Sequence, residues 1–424
     1  MIQTLKDGTK LGKYKIIRYI ASGGQGEVYE VENNSGTRLA LKWYYKHSAT
    51  EYQEKIIRKL IDNYGAPDDR FLWPMDIVHH NNLFGYIMGL RTSVYKSIVD
   101  LMKRRCEPTF SALCMAAINA ADSYQSLHSL GLCYRDISFG NLFFNPTNGD
   151  VLICDNDNVT ANKDNENTTY GTPRFIAPEI VTKKDKPSRD TDLYSLSVLF
   201  FYMFMLHHPL EGAIEANIKC FDAKAMEKIY GHDPIFIWDP INDTNRPIPG
   251  YQENAIVFWN MYPPFLRDMF TRAFTKGLKD SNARIVEKEW KDSFSQLNNI
   301  IVFCNHCGKE NFANKKPVCW RCGKSISLPP CLAIGSNKIM LNHNSKIAGH
   351  HLNDNHDHKT IIGILSQHPQ NPNRWGITNK SNDNWTYTKA NGETIIIPPN
   401  KTAPIVIGAR ISFGSKEGVI DSFQ

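Results

Sequence analysis

Tyr134-Arg135-Asp136-Ile137-Ser138-Phe139-Gly140-Asn141 is the stretch on which the reading of this 424-residue chain turns. It gathers an arginine, an aspartate and an asparagine around a glycine, a mixture that suits a loop better than a helix or strand. Before it, Ser111 to Leu130 carries apolar residues at helical spacing, with Leu113, Ala117, Ala120, Ala121, Tyr124 and Leu127 on one face. After it, Val151-Leu152-Ile153-Cys154 is a β-type run that delivers Asp155 directly at its end, with Asp157 as the fallback carboxylate. Carboxylates and an amide oxygen set at the ends of regular elements are the donors that hard cations take.

Toward the N-terminus the chain reads as short strands with one helix. Tyr14 to Ile20, Glu27 to Glu32 and Arg38 to Trp43 are β-rich, with turns at Ser22-Gly23-Gly24 and Asn33-Asn34-Ser35-Gly36. The loop Ala21-Ser22-Gly23-Gly24-Gln25-Gly26-Glu27-Val28 lies between two of these segments. Backbone N–H groups approach phosphate oxygens closely only where no Cβ intervenes, which suits this loop to phosphate, although ligand-free glycine hairpins are common. Leu39-Ala40-Leu41-Lys42 is an apolar strand carrying one lysine, whose ammonium needs a carboxylate to hold it. Glu51 to Ile61 is helical. There Glu54 shares a face with Ile57 and Ile61 and is expected to point inward to Lys42, whereas Glu51 shares its face with Lys55 and Arg58. A surface i,i+4 ion pair is the alternative reading of Glu54.

Taken in order, these segments resemble the protein kinase family. Arg135-Asp136-Ile137-Ser138-Phe139-Gly140-Asn141 resembles the kinase catalytic loop, placed after the glycine loop and the lysine as in that family. Gly171-Thr172-Pro173-Arg174-Phe175-Ile176-Ala177-Pro178-Glu179 resembles the end of the activation segment, its Gly-Thr pair pointing to the serine/threonine branch. The resemblance implies that Asp136 accepts a substrate hydroxyl proton and that Asn141 and Asp155 hold Mg2+ or Mn2+. It implies ATP-binding by Ala21, Ser22, Gly23, Gly24, Gln25, Gly26, Val28, Ala40, Lys42 and Met88, with Glu54 fixing the lysine. Asp192 would tether the catalytic-loop backbone, and Glu179 would pair with Arg284. Arg135 would dock a phosphorylated activation segment, for which Thr168 or Thr169 is the expected autophosphorylation site. The fold class so implied is α+β, a bilobal kinase with an N-lobe over residues 1–90 and a C-lobe over 91–298.

Some positions depart from the family. Ala21 stands at the first glycine of the loop, Tyr134 at the usual histidine and Asn156-Asp157 at Phe-Gly. Ser138 replaces a phosphate-contacting lysine, for which Arg174 or Lys163 could substitute. These departures admit a rival from another class, a pseudokinase scaffold that binds nucleotide and recruits partners. A small-molecule phosphotransferase on the same fold is opposed by the Gly171–Glu179 segment. Lys42, Asp136, Asn141 and Asp155 are all retained, which favours active transfer. Asp155-Asn156-Asp157 together with Arg135-Asp136-Ile137-Ser138 is also similar to the divergent bacterial kinases of tellurium-resistance-type gene modules.

Composition narrows the classes further. The formal net charge of +6 is spread without a block of Lys and Arg, so nucleic acid is not an expected partner. Leu193 to Leu206 is too short for a bilayer span and follows Asp190 and Asp192, so it reads as a buried helix and no membrane insertion is expected. Met1 to Asp7 has no apolar run, so a signal peptide is not expected. Of the ten cysteines, four form two Cys-x-x-Cys pairs and the rest are scattered, a usage that suits a reducing cytoplasm.

The paired cysteines lie in Cys304-Asn305-His306-Cys307-Gly308 and Cys319-Trp320-Arg321-Cys322-Gly323. Thiolates at this spacing surround a structural Zn2+ tetrahedrally, and residues 301–325 resemble a zinc ribbon; two disulfides are the alternative. His306 is at best a spare ligand. His350, His351, His356 and His358 sit in a polar stretch and read as a solvated loop rather than a second metal site.

Residues 330–424 turn to short β-type runs, so a C-terminal β-sandwich is expected. The runs are Lys338–Leu341, Thr360–Leu365, Trp375–Thr378, Trp385–Thr388, Glu393–Ile397, Pro404–Ile407 and Arg410–Phe413. Gly376-Ile377-Thr378-Asn379, Trp385, Gly392 and Gly408 to Gly414 resemble the later half of forkhead-associated domains, although that family's phosphothreonine-reading arginine and serine have no placed counterpart. Packing or partner docking is the expected role, with phosphopeptide binding as the alternative. The protein substrate is left unspecified.

Overall fold

The β-rich N-terminal segments pair into one antiparallel sheet. Its strands are β1 (Lys10–Leu11), β2 (Tyr14–Ser22), β3 (Gly26–Asn33), β4 (Arg38–Tyr44), β5 (Asp76–His80) and β6 (Leu83–Met88), in the order β1-β2-β3-β4-β6-β5. Val28 lies opposite Lys42, and Ala40 lies opposite Met88. Side chains alternate across a strand, so Ala40, Lys42 and Tyr44 share one face of β4 while Leu41 and Trp43 share the other. The second face buries Tyr14, Ile16, Tyr29, Val31, Leu41, Trp43 and Ile87. The first packs Ala40, Tyr44, Phe84, Tyr86 and Met88 against Ile57 of α1 (Glu51–Lys59). Lys42 therefore emerges on the side of the sheet that the helix covers.

A computed structural model supplies these elements, and it describes residues 4–162, 171–314, 317–342, 345–353 and 357–423. The chain divides into two units. One takes in the chain up to Pro108, Met115–Phe258 and Asp268–Trp290; the other takes in Thr109–Cys114, Trp259–Arg267 and the chain from Lys291 onward.

In the first unit α1 starts at Thr50, whose hydroxyl accepts from Gln53 N at 3.1 Å. It runs into a π-helical turn, Leu60–Tyr64, closed by Gly65. The helix Phe110–Ser129, in this unit from Met115 on, buries Ala116, Ala117, Ile118, Ala120, Ala121, Ser123, Tyr124 and Leu127 there. Arg189–Met205 is capped by Ser188 and buried from Thr191 to Met205. That burial explains its unbroken apolar run. Among the described residues no helix is long and apolar enough to cross a membrane.

The second unit is rich in sheet. Ile301–Phe303 pairs with Glu310–Phe312, and Phe110 lies against Phe312, Tyr262 and Trp320. A six-stranded sheet follows the order Asn337–Met340, Cys331–Ile334, Glu417–Asp421, Arg410–Ser412, Trp385–Thr388, Thr394–Ile397. A four-stranded sheet follows the order Lys346–Ala348, Ile361–His368, Asn371–Asn379, Thr402–Pro404. Leu332, Ile334, Trp385, Tyr387, Ile411 and Ile420 of the first share one core with Ile347, Leu365, Ile377 and Ala403 of the second.

Two expectations for this unit are corrected. The strand expected over Pro404–Ile407 instead ends at Pro404, and Val406 and Ile407 are exposed. Proline has no N–H to continue a ladder. The histidines read as a solvated loop are only partly so. His351 is 1% exposed, accepts from Ala348 N at 3.0 Å and meets Asn299 Oδ1 at 3.0 Å. Its ring lies 3.8 Å from that of His350, which lies 3.9 Å from that of His358. Polarity of the flanking residues hid a histidine that faces inward. His356 lies outside the described residues.

Candidate active site and cysteine cluster

The loop between β2 and β3 closes with Gly23 N donating to Gly26 O at 2.9 Å, and His47 Nε2 lies 3.1 Å from Gly24 O. A Cβ on Gly26 would sit 2.2 Å from Trp43 O, so β4 leaves room for nothing larger than glycine there. Ala21 stays in strand pairing opposite Val28, so a side chain at this position costs the hairpin nothing. Gln25 reaches from the tip, and its Oε1 accepts from Lys42 Nζ at 3.1 Å.

Lys42 is 5% exposed and faces two carboxylates. Its Nζ lies 3.0 and 2.9 Å from the two oxygens of Asp157 and 3.4 Å from Asp155 Oδ1. Burial works against the ammonium, but the charges of Asp157 and Asp155 outweigh it and hold its pKa above the ordinary lysine value. Asp157 is fully buried and also accepts from the Tyr44 hydroxyl. Gln53 of α1 donates to Asp157 O at 3.0 Å and to the Tyr44 hydroxyl at 3.3 Å.

Glu54 is not part of this group, which corrects the pairing expected for Lys42. Its carboxylate pairs with Arg58 at 2.6 Å and His79 at 3.1 Å, on the surface. Ile56, Ile57 and Leu60 are the buried residues of the helix, so the inward side is centred one residue earlier than a face built on Ile57 and Ile61. Gln53 shares that side through its i+3 and i+4 neighbours. Ile61, in the π-helical turn that follows, is half-buried against the same core as Ile57.

The loop from Tyr134 to Asn141 leads into the hairpin Leu142–Phe144 and Val151–Ile153. Asp192 carries this loop, accepting from Tyr134 N at 2.5 Å and Arg135 N at 2.9 Å. Arg135 has φ 72°, a turn that those two bonds hold in place. The Tyr134 hydroxyl donates to Cys154 O, so this residue ties the loop to the strand end as well as packing on Tyr124. His128 bridges Asp192, at 3.1 Å, and Glu287. Burial alone would lower its pKa, but the bonds to Asp192 and Glu287 prevail and raise it to about 8.

Asp136 Oδ1 accepts from Thr172 N at 2.8 Å and Thr172 Oγ1 at 2.7 Å, and Asn141 Nδ2 donates to Asp136 Oδ2 at 2.9 Å. Burial raises the Asp136 pKa above the ordinary carboxylate value despite these donors. Asn141 turns its N–H2 to Asp136, which leaves its Oδ1 as the end that can meet a cation. Asp155 bends the chain at φ 51°, and its side chain is 41% exposed. Asp155 and Asn141 thus offer the oxygen donors that Mg2+ prefers, beside a buried lysine.

Glu179 and Arg284 meet in a two-pronged ion pair at 2.8 and 2.9 Å, with Arg284 4% exposed. The Arg174 guanidinium lies 3.4 Å from Glu211 Oε1, so it is already engaged away from Ser138. Lys163, Thr168 and Thr169 lie outside the described residues. Sequence reasoning missed Tyr44 and Gln53. Tyr44 was within reach of it, being two residues from Lys42 on the same strand face.

In the second unit the two cysteine knuckles have the same backbone. Cys304 N donates to Lys309 O and Gly308 N to Cys304 O; Cys319 N donates to Lys324 O and Gly323 N to Cys319 O. Gly308 and Gly323 both have φ 70°, which side-chain-bearing residues rarely adopt. The four sulfurs lie within 4.8 Å of one another, with Cys304–Cys322 at 3.7 Å and Cys307–Cys319 at 3.6 Å. Sulfurs at the corners of a zinc tetrahedron stand about 3.8 Å apart, so the set fits that ion, and the spacings are far too long for disulfides. His306 enters through its backbone, its N donating to Cys304 Sγ at 3.4 Å.

The family model of the protein kinase domain matches residues 14–248, more than half of the chain. The chain is 30% identical over 217 residues to "Probable serine/threonine-protein kinase CCRP1" of Zea mays, covering 49% of this chain and 34% of that one. It is 24% identical over 246 residues to the serine/threonine-protein kinase plk-2 of Caenorhabditis elegans, covering 53% of this chain and 34% of that one. Over 278 residues it is 24% identical to the serine/threonine-protein kinase SAPK9 of Oryza sativa subsp. japonica, covering 62% of this chain and 66% of that one. The matched part thus spans about a third of the length of the first two relatives.

Proposed function

Because the chain belongs to the protein kinase family, we propose that it transfers the γ-phosphate of ATP to serine or threonine hydroxyls of proteins, its own activation segment included. One convergence carries the reading: Lys42, Asp155, Asn141 and Asp136 come from separate parts of the chain, and an ion pair links Lys42 to Asp155 while hydrogen bonds link Asn141 to Asp136 and Thr172 to Asp136. Lys42 would hold the α/β-phosphates beneath the loop from Ser22 to Gly26, with Val28, Ala40 and Met88 on the apolar side of the nucleotide. Asp155 and Asn141 would hold Mg2+, which supplies charge neutralisation for the transferring group. Asp136 would take the proton of the attacking hydroxyl, and its raised pKa suits a base. The Thr172 hydroxyl on Asp136 supports the serine/threonine reading.

Three features favour the pseudokinase scaffold as the second reading. Ser138 brings no positive charge, Asn156-Asp157 replaces Phe-Gly, and the Lys42 ammonium is already met by Gln25, Asp155 and Asp157. The test is incubation with labelled ATP and Mg2+, alone and with a generic protein substrate, beside Lys42→Ala. Transfer well above that variant is expected; transfer equal to it would leave the scaffold.

For the second unit we propose that Cys304, Cys307, Cys319 and Cys322 hold a structural Zn2+ in a ribbon over residues 301–325. We also propose that residues 330–424 form a forkhead-associated-like sandwich that docks a protein partner. The shared core of its two sheets supports that reading. A cytoplasmic location and membership of the bacterial branch similar to tellurium-resistance-type kinases belong to the same proposal. The latter rests on Asp155-Asn156-Asp157 and Arg135-Asp136-Ile137-Ser138.

A further inference from the structure

We propose that Asp157, rather than a residue of α1, is the counter-ion that positions Lys42 for the nucleotide phosphates, an inference that rests on the phosphotransfer reading above. Both Asp157 oxygens lie within 3.0 Å of the ammonium, and the aspartate is fully buried. The helix that covers this face offers an amide instead of an acid. Gln53 grips Asp157 O and the Tyr44 hydroxyl, while Glu54 is held outside by Arg58 and His79. Asp157 stands where the kinase pattern has the glycine of Asp-Phe-Gly, a position that ordinarily carries no side chain. A carboxylate has therefore moved from the helix to the segment that also carries Asp155.

The exchange has a mechanical consequence. When the lysine is clamped by a helix, the helix must swing inward to complete the site. Here the clamp joins β4 to Asp157, two residues from Asp155, and α1 acts through one neutral amide. Lysine and metal-holding carboxylate are then set by one short segment, and Tyr44, on the lysine's own strand face, fixes the clamp from the other side. A buried ion pair can also serve stability alone, so the test separates positioning from folding.

The test uses the full chain with Asp157→Asn, Asp157→Gly, and Asp157→Gly combined with Gln53→Glu. The double variant restores the family's arrangement, glycine in the segment and an acid on the helix, at a side chain that already reaches the Tyr44 hydroxyl. Misplacing a phosphate-binding group costs on the order of 10²-fold in kcat/KM for ATP, and that loss is expected for both single variants. The double variant is expected to recover at least tenfold of it. A second readout needs no catalysis: acylation of Lys42 by an amine-reactive ester, measured by peptide mass. It should rise several-fold in Asp157→Asn, where the amine has lost its counter-charge, and fall again in the double variant. If the wild-type chain transfers no phosphate, the kinase reading fails while the labelling still judges the ion pair. A folded Asp157→Asn with wild-type labelling and unchanged KM, or a double variant no better than Asp157→Gly, overturns the proposal. A drop in Tm with neither other change assigns Asp157 to stability and overturns it too.

Discussion

The cleft around Lys42 and the cluster around Cys304 both gather polar groups from distant parts of the chain, but they are held in opposite ways. In the cleft the protein supplies both signs of charge. A buried ammonium meets Asp157 and Asp155, and Asp136 is bracketed by Thr172 and Asn141. In the cluster the four sulfurs converge with backbone and Asn311 N–H groups as their polar neighbours, inside a segment with little core of its own. The first arrangement balances its own charges. The second would need a cation to hold it as proposed, because thiolates brought together repel one another.

That contrast can be broken at several points. The largest effect is expected from metal removal. A structural zinc in such a site contributes about 10–16 kcal/mol to folding of its segment. Strong chelation should therefore abolish hydrogen-exchange protection from Cys304 to Lys324 while β3, β4 and β6 keep theirs. Protection that persists in metal-free protein would erase the distinction between the two regions.

Next in size is Asp136→Asn, expected to lower phosphotransfer about 10²–10⁴-fold while ATP still binds, as followed by nucleotide titration beside a transfer assay. Arg284→Ala removes a buried guanidinium from the partly exposed Glu179 and is expected to cost about 3 kcal/mol at most in chemical denaturation.

Two of the buried histidines, His128 and His351, sharpen the comparison through pH. His128 lies between Asp192 and Glu287, with Arg189 on the far side of Glu287, and its pKa is raised to about 8. The folded chain holds this proton more tightly than the unfolded one. Its stabilisation, about 2 kcal/mol, is complete below pH ~6.5 and is lost as pH rises through ~8. His351 is the reverse case. Burial, then the neighbouring His350 and His358, lower it to about 3. The folded chain excludes that proton, so stability falls as pH drops below ~6.5 toward ~3. Melting curves from pH 5 to 9 should lose the alkaline limb in His128→Gln and show a shallower acid limb in His351→Gln, since buried His208, lowered to about 4 by burial, shares that limb. The smallest change is expected from Glu54→Ala. An exposed pair with Arg58 contributes about 0–1 kcal/mol, and KM for ATP should stay within about twofold. A large loss there would restore the helix as the lysine's clamp.

Glu54 shows where local reading runs out. The periodicity identified a helix with one buried side, and the helix is there, but placing that side to within one residue needs the packing partner. Ile56, Ile57 and Leu60 are buried, Ile57 against the sheet, and Gln53 lies on that side. The alternation in β4, by contrast, was enough to put Lys42 and Tyr44 on one face, because a strand's period admits two phases only. His351 failed for a similar reason as Glu54: its polar neighbours said nothing of the Asn299 that meets it from far along the chain.

Strand alternation, helical spacing, the glycine hairpin and the paired cysteines were legible in the chain itself, since each depends on residues a few positions apart. Which carboxylate meets Lys42, which threonine meets Asp136, and which histidine is protonated were decided by the tertiary structure. Charge interactions depend on separation in space and on exclusion of water, and neither is encoded at any one position.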